Sequence, residues 1–206
     1  MTSCTFTGNA CRPEINYDGG AIASSRDLGD TTPAALTILN STFTGNHADS
    51  FGGAISADTY TTVIITGCTF TNNTAKGGGA IDLGSNVAAL SNCTFTGNQA
   101  QDSGGAIVTS GYPGTTTTIK GCTFTGNSAG NSDGDSYSGG DAALSNGDDN
   151  TKPAVLTIGG QATIAGNTAA SGGGVYSRNA GNTLTVTTGT VTGNTPDNCA
   201  GTGISC

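Results

Sequence analysis

The sequence predicts an all-β solenoid, and three observations predict it. A Phe-x-x-Asn motif recurs along the whole chain, a Gly-Gly-Ala-Ile motif follows most of its copies, and no segment keeps a 3.6-residue apolar period long enough for a helix. The copies align on a central apolar residue: Phe6, Phe43, Phe70, Phe95, Phe124, Ile164 and Val191. Three residues after each comes asparagine: Asn9, Asn46, Asn73, Asn98, Asn127, Asn167 and Asn194. The second motif reads "GGAI" at 19–22, 52–55, 78–81 and 104–107, then "GGDA" at 139–142 and "GGVY" at 173–176. A third, weaker element precedes each copy from the second on: "LTI" at 36–38, "VII" at 63–65, "AAL" at 88–90, "TTI" at 117–119, "LTI" at 156–158 and "LTV" at 184–186.

The copies return every 25 to 40 residues, a solenoid period. Each unit holds three short segments of alternating pattern joined by Gly and Asn. Three short strands per unit, each stacked on its counterpart in the next, give a right-handed parallel β-helix. About seven rungs are expected, in one domain spanning residues 1–206. Rungs ~4.8 Å apart make a rod on the order of 30 Å long. Within "CTFTGN", Cys and Phe point inward and fill the bore. The Asn that follows Gly suits a left-handed bend, and stacked amides can form a ladder. Insertions at 10–18, 23–35 and 128–153 interrupt the regular bends and are expected contact loops, since function concentrates in loops carried on rigid scaffolds.

Composition excludes several classes. Net charge is −8, and the six cations (Arg12, Arg26, Lys76, Lys120, Lys152 and Arg178) are scattered. Nucleic-acid binding needs clustered cations, so it is not expected. Membrane insertion is not expected either, because no apolar run approaches ~18 residues. Thirty-five glycines with five prolines and no Gly-X-Y period argue against collagen. The opening "MTSCTFTGNA" has neither a basic region nor an apolar core of a signal peptide and begins inside a repeat, which suggests a piece of a longer chain.

Cys4, Cys68, Cys93 and Cys122 share one inward column and read as a stack of buried thiols. Cys4 with Cys11, and Cys199 with Cys206, are the disulfide candidates, each stapling a short terminal loop. The single histidine is His47 and no Cys-x-x-Cys exists, so zinc is not expected. "NSDGDSYSGGD" at 131–141 offers Asp133 and Asp135 as weak calcium candidates, but it departs from the EF-hand pattern at Tyr137, Ser138 and Leu144. No cofactor is implied. Asp58 and Asp82 stand at different offsets after Ile55 and Ile81 and form no obvious catalytic pair.

With Cys and Phe inward, the two threonines of each motif face out. They pair as Thr5 and Thr7, Thr42 and Thr44, Thr69 and Thr71, Thr94 and Thr96, Thr123 and Thr125, and Thr190 and Thr192; only Thr163 with Ala165 breaks the pattern. Two uncharged files result, ~6.6 Å apart along the strand and ~4.8 Å between rungs. Such an array resembles the Thr-x-Thr face of β-helical insect antifreeze proteins. Threonine is also simply a favoured strand residue, and cross-strand Thr pairs stabilise sheets.

The pairing of Phe-x-x-Asn (Phe6 to Asn9, Phe43 to Asn46, Phe70 to Asn73, Phe95 to Asn98) with Gly-Gly-Ala-Ile (Gly19 to Ile22, Gly52 to Ile55, Gly78 to Ile81, Gly104 to Ile107) resembles the repeats of the chlamydial polymorphic outer membrane proteins. It is similar to related bacterial repeats of the pectate-lyase-like superfamily. The resemblance implies a secreted or surface-exposed bacterial module for adhesion or protein contact, without catalysis. The alternative is ice binding through the Thr files; a polysaccharide-active enzyme is the third reading. The expected partner is a protein or surface ligand, or ice, and the open first rung is an expected site of end-to-end self-association.

Overall fold

The structure, a computed structural model, describes residues 1–11, 18–24, 34–57, 61–84, 87–109, 115–130, 154–177 and 181–201, with the backbone alone for 144–146. The insertions at 10–18, 23–35 and 128–153, with Asp58, Asp133, Asp135, Arg178 and Cys206, lie wholly or largely outside these residues. Every described strand pairs in parallel with its counterpart one turn away, so the chain coils as a β-helix.

The expected three strands per turn become four. A threonine sheet runs Thr5–Thr7, Thr42–Thr44, Thr69–Thr71, Thr94–Thr96, Thr123–Thr125, Ala162–Ala165 and Gly189–Thr192. A short-strand sheet follows it: Ala10–Cys11, His47–Ala48, Thr74–Gly77, Gln99–Ser103 and Ser128–Ala129. Next is a glycine-pair sheet of Ile22–Ser24, Ile55–Ala57, Ile81–Leu83, Ile107–Thr109, Leu144–Asn146, Val175–Ser177 and Cys199–Gly201. A long-strand sheet closes each turn: Ala34–Leu39, Thr61–Thr66, Val87–Ser91, Thr116–Lys120, Val155–Gly159 and Thr183–Val186. Among the described residues, five turns carry all four strands; the sixth replaces the short strand by an isolated bridge at Thr168, and the seventh keeps two strands.

The extra strand comes from the residues just past the ladder asparagine. There the chain stays extended and turns one small side chain inward: Ala48, Ala75, Ala100 and Ala129 are all buried. A two-residue strand leaves almost no alternation to detect. The glycine-pair register also differs from expectation in the later copies. Leu144 and Val175, not Ala142 and Tyr176, stand in the Ile107 column. In the sixth copy the reason is the run of three glycines: Gly172 takes the positive φ of Gly52 and Gly78, so the motif starts one residue earlier and Val175 is the buried apolar residue.

The bore is filled by repetition. Phe6, Phe43, Phe70, Phe95 and Phe124 stack with ring centroids 4.6 to 4.8 Å apart and interplanar angles of 1 to 5°. Ile164 and Val191 continue the column, in register with Phe124. Ile38, Val63, Ile65, Leu90, Ile119 and Ile158 pack against it from the long-strand sheet.

Beside the phenylalanines runs a buried amide ladder. Asn73 donates its N–H and its Nδ2 to Asn98 Oδ1, at 3.0 and 2.9 Å. Its Nδ2 also donates to the Phe43 carbonyl at 3.1 Å. The same pattern repeats from Asn46 through Asn167, so these buried amides are satisfied. The expected left-handed bend falls one residue earlier, at Gly45, Gly97 and Gly126, or at Asn72 in the third turn.

A second use of asparagine appears at the corners. Asn40, Asn72 and Asn92 have positive φ, and each lays its side-chain oxygen over a glycine of the next turn. A Cβ added at Gly67, Gly97 or Gly121 would come within 2.4 to 2.6 Å of that oxygen, which is closer than a real contact allows.

Replacing Asn98 by Ala is expected to destabilise the fold by on the order of 4 kcal/mol, because two donors of Asn73 and the Phe70 carbonyl lose their partner inside the bore. Urea unfolding measures it, with Gln99→Ala as the control: that neighbouring side chain is exposed, so its loss is expected to leave the midpoint nearly unchanged.

Candidate functional site

All twelve threonines of the files lie on the outer face of the threonine sheet, each exposed or half-buried beside a buried or partly buried apolar residue. They are in register: Thr5, Thr42, Thr69, Thr94, Thr123, Thr163 and Thr190 form one column, and Thr7, Thr44, Thr71, Thr96 and Thr125 the other, continued by Ala165 and Thr192. The rung spacing of the Phe stack behind them, 4.6 to 4.8 Å, sets their repeat along the rod.

Sequence reasoning missed the neighbouring face. The long-strand sheet turns outward Ala35, Thr62, Val87, Thr116, Val155 and Thr183 in one column and Thr37, Ile64, Ala89, Thr118, Thr157 and Thr185 in the next. Ile64, Val87 and Val155 are three of the four exposed large hydrophobic residues among those described; Met1 is the fourth. The signal was present in the alternation of "TTVIIT" and "VAALS", which places an apolar residue on both faces. On the strands of these two sheets the described residues include one charged side chain, Lys120.

The other described charges lie elsewhere. On the short-strand side, His47 Nε2 is 2.8 Å from Asp49 Oδ1, and His47 Nδ1 is 2.8 Å from Thr74 Oγ1. Lys76 Nζ lies 3.6 Å from Asp102 Oδ2, and Asp18 accepts from the Phe51 N–H at 3.2 Å. Asp82, on the glycine-pair sheet, accepts from Ser56 at 3.3 Å. Each of these contacts is local. Among the described residues no group of three or more His, Cys, Asp or Glu side chains is arranged to hold a metal ion, and no helix is long and apolar enough to cross a membrane.

The insertions enter between the short-strand and glycine-pair sheets or between the glycine-pair and long-strand sheets. Both corners that bound the threonine sheet are tight, with left-handed residues such as Asn40, Gly67, Asn92 and Gly121 on one side and Gly45, Asn72, Gly97 and Gly126 on the other.

The cysteine column is buried, as its spacing implies: Cys68, Cys93 and Cys122 are at most 1% exposed. The Cys93 N–H donates to Cys122 Sγ at 3.3 Å, and Cys93 Sγ donates to the Ser91 carbonyl at 3.3 Å. Bonding to the next thiol, together with burial, pushes Cys68 up and Cys93 up to about 12. Cys122, which accepts from Cys93, is held below the ordinary thiol value. The expected Cys4–Cys11 staple is not formed, since both are thiols. Cys4 ends the inward column and donates to the Thr2 carbonyl at 3.4 Å, whereas Cys11 lies around a corner on the short-strand sheet, paired with Ala48. Cys199 is disulfide-bonded.

With this geometry in place, the chain can be set against known proteins. The profile of the right-handed β-helix region matches residues 1–152 and again 33–206, and the chain belongs to that family. No curated protein and no solved structure matches it.

Alkylation of the native chain followed by peptide mapping is expected to label Cys4 and Cys11, both partly exposed, and to spare Cys68, Cys93 and Cys122 until denaturant is added.

Proposed function

We propose that the chain is a non-catalytic contact module, secreted or displayed on a cell surface, that adheres to an ordered surface through its threonine sheet. The observation that carries this reading is the register of the threonine columns: seven strands present the same pair of positions outward without a charge or an insertion. Rigid backing by the Phe stack holds those side chains at fixed separations, so little freedom is lost when they meet a regular partner. The Phe-x-x-Asn and Gly-Gly-Ala-Ile repeats, similar to those of the polymorphic outer membrane proteins, support the adhesive role.

A second reading makes ice the ordered surface. The two spacings of the array, ~4.8 Å between rungs and ~6.6 Å along the strand, lie close to oxygen repeats in ice, and the methyl and hydroxyl of threonine suit both halves of an ice–water boundary. The apolar and hydroxyl-bearing columns of the long-strand sheet extend that surface around one corner, with Lys120 the one charged side chain among the described strand residues there.

The test uses fluorescently labelled native chain and the folded variants Thr96→Tyr and Thr71→Lys on growing ice crystals, crystalline polysaccharide and intact cells. Retention of the native chain on one of these, reduced about tenfold or more in both variants, is the expected outcome. Crystal shaping and thermal hysteresis lost with Thr96→Tyr select ice. Equal retention of native and variant chains removes the threonine sheet as the contact surface.

A further inference from the structure

The thiol column puts none of its three buried sulfurs into a disulfide, and its geometry repeats from turn to turn. Cys68, Cys93 and Cys122 each stand one residue before Thr69, Thr94 and Thr123, which are in register. Ser41 fills the same position one turn earlier and Ala162 one turn later, each 1% exposed. The sulfurs also point the same way. Each donates to the carbonyl two residues back, of Thr66, Ser91 and Lys120, at 3.4, 3.3 and 3.5 Å. Cys68 Sγ and Cys93 Sγ lie 3.7 and 3.6 Å from the Ile38 and Ile65 carbonyls of the turn before. One side-chain conformation therefore recurs. Successive sulfurs stand about one rung apart, and the Phe rings of the same turns repeat at 4.8 and 4.6 Å.

That spacing decides between two chemistries. A disulfide needs Cβ atoms ~3.5–4.5 Å apart, closer than in-register side chains one rung apart, at ~4.8 Å. A metal ion held in line between two thiolates, with bonds of ~2.3 Å, needs sulfurs ~4.6 Å apart. The second fits without moving the turns. Thiolates select soft cations, Cu(I) among them. Zinc takes four ligands, whereas Cys68 and Cys122 are two rungs apart and cannot reach one ion together. Among the described residues no three ligating side chains converge, which leaves a pair of sulfurs as the coordination available. Two thiolates on Cu(I) carry one net negative charge, and a buried charge needs donors. They are in place: the Ser41 N–H donates to Cys68 Sγ at 3.4 Å and the Cys93 N–H to Cys122 Sγ at 3.3 Å, and the Cys68 backbone bonds Cys93.

We propose that Cys93 is the shared ligand of a two-coordinate Cu(I) site, completed by the sulfur one turn before it or one turn after it. On binding, two thiols release two protons, two sulfur lone pairs form the bonds to copper, and no electron is transferred. The third thiol keeps its proton. An ion so placed ties two turns together inside the bore, on the opposite side of the sheet from the threonine columns.

The test starts from the native chain with its accessible thiols alkylated, which leaves the buried column free. The folded chain is equilibrated for hours with Cu(I) without oxygen, against bicinchoninate as competing chelator, so that local opening admits the ion. About one Cu(I) per chain is expected to be retained, with X-ray absorption showing two sulfur neighbours at ~2.3 Å or slightly less. Zn(II) is expected not to be retained. Cys93→Ser is expected to lower Cu(I) retention about tenfold or more, while at least one of Cys68→Ser and Cys122→Ser keeps it. Should Cys93→Ser lose its β-sheet dichroism, the double variant Cys68→Ser with Cys122→Ser, which leaves one sulfur, is expected to show the same loss. A native chain that retains no Cu(I) overturns the proposal. So does a folded Cys93→Ser, or the folded double variant, that retains as much as the native chain. Loss in both single end variants, or equal retention of Zn(II), overturns the two-coordinate site.

Discussion

The buried amide of the ladder asparagine is the constraint on which the rest of the structure depends. An amide in an apolar bore is costly unless each of its hydrogen-bonding positions is used. Here, from Asn46 through Asn167, they are used because the same residue stands at the same position one turn away. Asn73 in register with Asn98 forces Phe70 onto Phe95, and with it Thr69 and Thr71 onto Thr94 and Thr96. A slip of one residue would expose the phenylalanines and bury the threonines, while leaving the amides unpaired. Regularity of the outer surface is therefore inherited from a requirement inside.

The same coil separates two kinds of surface. Threonine and small apolar residues occupy the outer faces of the threonine and long-strand sheets, whereas His47, Asp49, Lys76 and Asp102 gather on the short-strand side. Insertions likewise avoid both corners of the threonine sheet.

Much of this was legible in the sequence, for physical reasons. Phe and Asn at fixed separation, with Gly-Gly-Ala-Ile behind them, encode inward packing and tight bends, and the structure places them so. The short strand was not legible, because two residues such as His47 and Ala48 carry no period; only the recurrence of Ala two places after Asn marks it. The outer columns of the long-strand sheet were obscured for the opposite reason: Ile64 and Val87 are apolar yet exposed, so hydropathy there does not separate the inner from the outer face. Cys4 and Cys11 are near in sequence, but a corner of the coil lies between them, and sequence separation does not show which way a chain has turned.

The corner asparagines bear on how such a chain can grow. Asn40, Asn72 and Asn92 each occupy space that the next turn must leave empty, and glycine follows in every case: Gly67, Gly97 and Gly121. Copying a single asparagine-cornered turn in tandem would set one such side chain against another. A copied pair, asparagine then glycine, meets no such obstacle. A turn cornered by glycine can be copied singly, as Gly97, Gly126, Gly166 and Gly193 show in successive turns, whereas a turn cornered by asparagine calls for glycine in the turn that follows it.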